Sequence, residues 1–233
     1  MDSWIYRPGH PVVTITRSGA SVTLRQDRFS FAPDPAAGVS IPVEGPRVVP
    51  VVLRTGPPGT EPLRVLLDTA ETTVELPDPD AAFIVGNLDG NGFYRVASSD
   101  ADLAAVAAAA GTQLTPIERY GLVEDEWALY LSGRGSVPRI VGLFRGLAAE
   151  TDTSVWQRII GVLGALHRHG GDTARPDVEA WVRALVGPAA HALGPAAVPG
   201  EPERVGTLRA ALFEARCRLG ADTGERARDA QLF

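Results

Sequence analysis

Between residues 11 and 97 the chain alternates short apolar runs with polar and turn-forming residues: PVVTITR, SVTLRQDRF, VVPVVLRT, PLRVLLDT, TTVEL, AFIVGN and GFYRVA. Runs of this length, rich in Val, Thr, Ile and Phe, predict β-strands. Ser18-Gly19 between the first two predicts a tight hairpin, and Gly56-Pro57-Pro58-Gly59 opens the next loop. The Pro- and Gly-rich stretch 32–46 is too irregular for an element and is expected to cross between sheets. About seven short strands with such connections predict a small antiparallel sandwich.

The period changes at Ser99. SSDADLAAVAAAAG predicts an alanine-rich helix ending at Gly111. TPIERYGLVEDEWALYLSG carries a capping box, with Thr115 as N-cap, Pro116 at the first helical position and Glu118 reaching back. Tyr120, Val123, Trp127 and Tyr130 then recur every three or four residues, giving one apolar face. Further helices are predicted in SVPRIVGLFRGLAAE, SVWQRIIGVLGALHRHG, PDVEAWVRALVGPAAHAL, EPERVGTLRAALFEARCRLG and DTGERARDAQLF, with Gly-Pro breaks between about 187 and 202. Helix pairs recur near residues 115, 153 and 201, at the spacing of a two-helix solenoid repeat. The expected fold is therefore α+β in two domains. Residues 1–98 form an antiparallel β-sandwich, and residues 99–233 an all-α stacked-helix domain of the HEAT or armadillo kind.

Composition narrows the function. The 233 residues carry a formal net charge of −6 with no basic cluster, which gives no footprint for nucleic acid or anionic lipid. All 22 basic residues are Arg, so a lysine Schiff base and a phosphate-loop lysine are excluded. A single cysteine, Cys217, excludes an internal disulfide and a multi-cysteine zinc site. No apolar run reaches membrane-spanning length and the N-terminus lacks the pattern of a signal peptide, so a cytoplasmic location is expected.

Candidate chemistry is sparse. Asn87, Asp89, Asn91 and Gly92 in VGNLDGNGFYRV match the first half of a calcium loop, but the twelfth position is Ser98, which supplies no bidentate carboxylate. Strand-like flanks and the Asp-Gly and Asn-Gly pairs, which tolerate positive φ, predict a hairpin turn instead. The four His form no His-x-x-x-His pair. His167 and His169, two apart, point to different sides of a helix end, where imidazoles suit the dipole. Glu124, Asp125 and Glu126 fan out on a helix, and a solvated face or a structural Asp–Arg pair is the expected outcome. No nucleophile elbow, phosphate loop or dinucleotide fingerprint occurs.

Several segments together resemble, in chain order, the region after the catalytic domain in zinc aminopeptidases of the aminopeptidase N type. WIYRPGHPVVTI, through Trp4, Gly9, His10, Pro11 and Val12, is similar to the segment leaving that domain. TLRQDRF, through Leu24, Gln26, Arg28 and Phe29, is similar to the second strand of the family's small sandwich, and Ile84 to Asn87 with Gly92 to Val96 to its end. LTPIERYGLVEDEWALYLSG resembles the first long helix of its C-terminal helical domain, with Arg119, Leu122, Asp125, Leu129 and Gly133 in order. LRAALFEARCRLGADTGERARDAQLF is similar to a later helix pair.

The family's zinc-binding His-Glu-x-x-His and its Gly-Ala-Met-Glu-Asn motif belong upstream and are absent here, where the only Met is Met1. The resemblance thus implies a non-catalytic C-terminal portion of such an enzyme, contributing structural support and substrate selection. No catalytic, metal or cofactor residue is expected in this chain; the family's zinc lies in the catalytic domain. The implied partner is a zinc peptidase catalytic domain or a peptide. Two alternatives remain open on the same scaffold: a free-standing binding module, and a small enzyme with new chemistry in the groove between strands and helices, using Arg119, Tyr120, Asp125 or Glu126.

Overall fold

A computed structural model describes residues 2–5, 9–31 and 45–224. The expected crossing at 32–46 and the end of the last predicted helix therefore lie largely outside the described residues. The chain forms two compact units, residues 1–146 and 147–233. The change from strands to helices falls at Ser99, within the first unit.

The first unit opens with one helical turn, α1 (Asp2–Ile5), followed by β1 (His10–Ser18) and β2 (Ser21–Phe29). These pair antiparallel from Ser18↔Ser21 to His10↔Phe29. Gly19 at φ 61 makes the predicted tight turn without a Cβ clash. β3 (Val49–Leu53) and β4 (Leu63–Leu67) form a separate two-stranded sheet. β5 (Glu71–Glu75) joins β2 antiparallel, and β6 (Arg95–Ser98) joins β1, for the order β5-β2-β1-β6.

Two strand expectations are corrected. The pairing of β6 with β1 is parallel, Val12↔Arg95 to Ile15↔Ser98, so the region is mixed and not purely antiparallel. AFIVGN makes a single bridge, Val85 with Arg54, and no strand. Two of its apolar residues are spent on burial: Phe83 and Val85 are at most 7 % exposed.

One buried cluster joins Val13, Ile15, Val22 and Leu24 of the larger sheet to Val49, Val51, Leu53 and Leu67 of the smaller. Consecutive residues of a strand face opposite sides. Val12, next to Val13, therefore packs the other way, with Phe29, Ala128 and Leu129. Both faces of β1 are thus covered, which explains its unbroken PVV. Gln26 is buried mid-strand and fully engaged: its amide nitrogen donates to the carbonyls of Arg47 and Thr69 at 2.8 and 2.7 Å, and its oxygen accepts from the Arg47 N–H at 2.8 Å.

Three helices complete this unit: α2 (Asp100–Gln113), α3 (Pro116–Leu131) and α4 (Val137–Gly146). Ser99 caps α2 by accepting from the Asp102 N–H at 3.1 Å, and the helix runs two residues past the Gly111 stop expected from the sequence. The capping box of α3 is present, with the Glu118 N–H donating to Thr115 Oγ1 (3.4 Å) and the Thr115 N–H to Glu118 Oε2 (2.8 Å). α4 packs against α2 at a close backbone approach. A Cβ on Gly146 would lie 2.5 Å from the Ala107 carbonyl oxygen. Since that contact is backbone, Gly146→Ala is expected to push the helices apart and cost about 1–3 kcal/mol in urea unfolding. A change within error would show that α4 has room to shift.

The second unit contains α5 (Thr153–His169), α6 (Gly171–Leu193) and α7 (Glu203–Glu214), the last running into a π turn over Ala215–Leu219. Asp152 caps α5 by accepting from Ser154 and Val155 N–H. Val155, Trp156, Ile159, Val162 and Leu163, all fully buried, follow a helical period and form the apolar stripe that meets α6 and α7. α6 begins earlier than expected and continues through Pro176 and Pro188. A proline removes its own backbone bond, and burial of Leu185 and Val186 holds the turn before Pro188.

Candidate functional site

The first unit contains a cavity of about 340 Å3 between the loop 85–94, β6 and the first half of α3. The loop is built by its own side chains. Asn87 closes it, accepting from the Gly92 N–H at 2.8 Å and donating to the Gly92 carbonyl at 3.0 Å. Asp89 and Gly90 turn the chain at φ 52 and 65, the positive values expected of this stretch. The expected hairpin, however, is not formed: Val85, at the start of the loop, bridges Arg54, and the strand after the loop pairs with β1. The Tyr94 hydroxyl donates to the Gly86 carbonyl at 2.9 Å, and burial raises its pKa well above the ordinary phenol value.

The floor of the cavity is polar. Arg95 of β6 reaches Glu124 at 3.5 Å and Asp125 at 3.4 Å, both on α3, while the Val96 N–H donates to Asp125 Oδ2 at 3.2 Å. Burial pushes the Asp125 carboxyl up to about 7; Arg95 and the Val96 N–H oppose this shift, and the neighbouring Glu126 adds to it. His10 stacks on Phe29 with ring centroids 5.0 Å apart and tilts against Phe93 at 5.5 Å. Its pKa is lowered by burial first and then by Arg95 and Arg47, so the imidazole is neutral at pH 7. Among the described residues the His10 ring nitrogens and the Tyr120 hydroxyl have no hydrogen-bond partner. The rim is apolar and open, with Phe93 72 % and Ile117 49 % exposed. Phe93 also borders a second cavity of about 520 Å3, reaching Trp4, Val49 and Val52.

Of the groove residues expected from the sequence, Tyr120 and Asp125 line the cavity, whereas Arg119 and Glu126 do not. Arg119 donates to the Leu114 carbonyl at 2.6 Å. Glu126 is buried in a bidentate pair with Arg139, at 2.9 and 2.8 Å, and Arg139 also holds the Ser98 carbonyl and Asp100. His10, Phe93, Arg95 and Glu124 complete the site. Periodicity gives no signal for that grouping, because the parallel β1–β6 pair makes it across some eighty residues of chain. In the second unit, His167 near the end of α5 lies 3.4 Å from Glu179.

The donor set does not fit a zinc ion. Among the described residues no three His, Cys, Asp or Glu side chains converge, and the cavity's single imidazole faces carboxylates that share Arg95. Among the described residues no helix is long and apolar enough to cross a membrane.

The family model of the ERAP1-like C-terminal domain matches residues 83–233, which include the cavity loop, β6 and all the long helices. The chain belongs to that family. Within the ERAP1-like C-terminal domain family it is similar to aminopeptidase M1-C of Oryza sativa subsp. japonica, 28% identical over 235 residues and covering 95% of this chain and 26% of that protein. It is also similar to aminopeptidase M1 of Arabidopsis thaliana, 28% over 187 residues, covering 74% and 20%. Tricorn protease-interacting factor F2 of Thermoplasma acidophilum is 27% identical over 175 residues, covering 75% and 20%. The chain thus corresponds to a C-terminal region of M1-type aminopeptidases and spans about a fifth to a quarter of the length of these relatives.

Proposed function

We propose that this chain is a non-catalytic C-terminal portion of an M1-type aminopeptidase, supporting a zinc peptidase catalytic domain and taking part in substrate selection. The match of the ERAP1-like C-terminal domain to residues 83–233 carries this reading. The sequence adds support, since it holds neither His-Glu-x-x-His nor a Met beyond Met1 for the family's substrate motif. Two sheets around one buried cluster, and helices packed in neighbouring pairs, favour a small sandwich with a HEAT-like helical region.

The purified chain is expected to carry far less than one zinc per molecule by elemental analysis and to leave an aminoacyl-coumarin substrate intact. Stoichiometric zinc with turnover would overturn the reading. Produced together with a zinc-bearing peptidase portion from the same genome, the chain is expected to co-elute with it in size-exclusion chromatography. Separate elution would remove the supporting role. A binding module on the same scaffold is the second reading, favoured by the cavity and by the polar atoms of His10 and Tyr120, which have no hydrogen-bond partner among the described residues.

A further inference from the structure

We propose that the aromatic face around Phe93 is the surface that meets the zinc-bearing peptidase portion, an inference that rests on the reading of the chain as the C-terminal part of such an enzyme. Five rings run in unbroken contact across this face of the first unit. Trp4 meets Phe93 with centroids 6.1 Å apart, Phe93 meets His10 at 5.5 Å, His10 stacks on Phe29 at 5.0 Å, and Phe29 meets Phe31 edge-on at 5.4 Å. Of the nine large apolar side chains that stand exposed among the described residues, five gather here: Ile5, Phe31, Val48, Phe93 and Ile117. Ile5 follows Trp4 in the chain, the Val48 carbonyl accepts from the Trp4 ring N–H at 2.9 Å, and Ile117 borders the same cavity as Phe93. Exposed apolar residues scattered singly are ordinary, whereas a contiguous group of them marks a surface that another molecule covers.

The fold makes no use of the Phe93 ring. It is 72 % exposed and belongs neither to the buried cluster around Val13 nor to the one around Val12. Its backbone is nevertheless fixed, by the two Asn87–Gly92 hydrogen bonds before it and by the buried Tyr94 after it, whose hydroxyl donates to the Gly86 carbonyl. A preorganised, exposed aromatic side chain loses little freedom on binding, which suits it to anchor an interface. Cavities of about 340 and 520 Å3 both border Phe93 and leave room for a partner's apolar side chains to interlock with the ring.

The position of the face names its occupant. The chain corresponds to a C-terminal region of its relatives, and aminopeptidase M1-C of Oryza sativa subsp. japonica is matched over 95% of this chain but only 26% of its own length. The greater part of such a protein therefore precedes this region. It reaches the fold by way of Trp4 and His10, two of the five rings, so that a preceding domain is tethered beside Phe93. Tethering raises its local concentration there, and a face of modest size then suffices to hold it.

Calorimetric titration of the full chain with the zinc-bearing peptidase portion from the same genome tests this. The double variant Phe93→Ser with Ile117→Ser is expected to bind at least about tenfold more weakly than the unaltered chain, as loss of an aromatic anchor does. Val198→Ser, which alters an exposed apolar residue of the second unit, is expected to bind within about twofold of it. In the complex, amide hydrogen exchange is expected to slow at residues 88–94; should the double variant fail to fold, this pattern on the unaltered chain decides alone. Unchanged binding by the folded double variant, or exchange unaltered at 88–94, would overturn the assignment of the face and leave the peptidase reading standing. No binding by the unaltered chain would overturn both. Self-association of the unaltered chain that the double variant abolishes would assign the face to a second copy and overturn the inference as well.

Discussion

Arg54→Met is expected to destabilise the protein by about 3–5 kcal/mol, because it leaves a buried carboxylate without its cation. The side chains of Arg54 and Glu118 are 1% and 0% exposed, and they meet at 2.5 Å. Arg54 also donates to the carbonyls of Gln113 and Gly56, so one guanidinium ties the end of β3 to the start of α3 and to the end of α2. Met fills a similar volume, which separates the electrostatic loss from a cavity. The capping box makes the effect specific, since the Glu118 oxygen that Arg54 holds also accepts the Thr115 N–H at 2.8 Å. Urea unfolding followed by circular dichroism measures the loss. The double variant Arg54→Met with Glu118→Gln is expected to be more stable than Arg54→Met alone, since it removes the orphaned charge. A single variant within about 1 kcal/mol of the parent would show that water reaches Glu118.

The second expectation concerns acid. Asp125 has a carboxyl held at about 7 in the folded protein against an ordinary value of 3.8, chiefly because it is buried. The folded state therefore holds this proton more tightly than the unfolded chain. Between about pH 4 and about pH 7 the native state binds more protons, so this group's contribution falls as pH rises. It is fully present below about pH 4, is lost by about pH 7, and its total swing approaches 4 kcal/mol. Other carboxylates titrate in the same range, so the useful quantity is the stability of the parent minus that of Asp125→Asn. That difference is expected to decline across the window and then stay level. A flat difference would place Asp125 in water.

What could be foreseen from the sequence follows the distance between interacting residues. The Thr115–Glu118 box was legible because both partners lie within one turn, and the cap at Ser99 for the same reason. Asp89 and Gly90 were legible as positive-φ residues. What the loop connects was not, because that depends on Arg54 and on β1. Asp125 and Tyr120 were visible as candidates on a helix face. The chemistry of Asp125 was not, since its raised pKa comes from burial under β6, whose parallel pairing with β1 has no local signature. Glu126 looked equivalent to Asp125 in a run of three acids. Arg139, thirteen residues on, decides otherwise.

The parallel β1–β6 pair also sets an order of events during synthesis. The β1–β2 hairpin can close as soon as Phe29 has left the ribosome, since its partners are adjacent in the chain. The other side of β1 then shows unpaired backbone groups until residues 95–98 have been made and Arg95 comes level with Val12. For those seventy or so residues of translation the strand that will stand inside the sheet is still an edge.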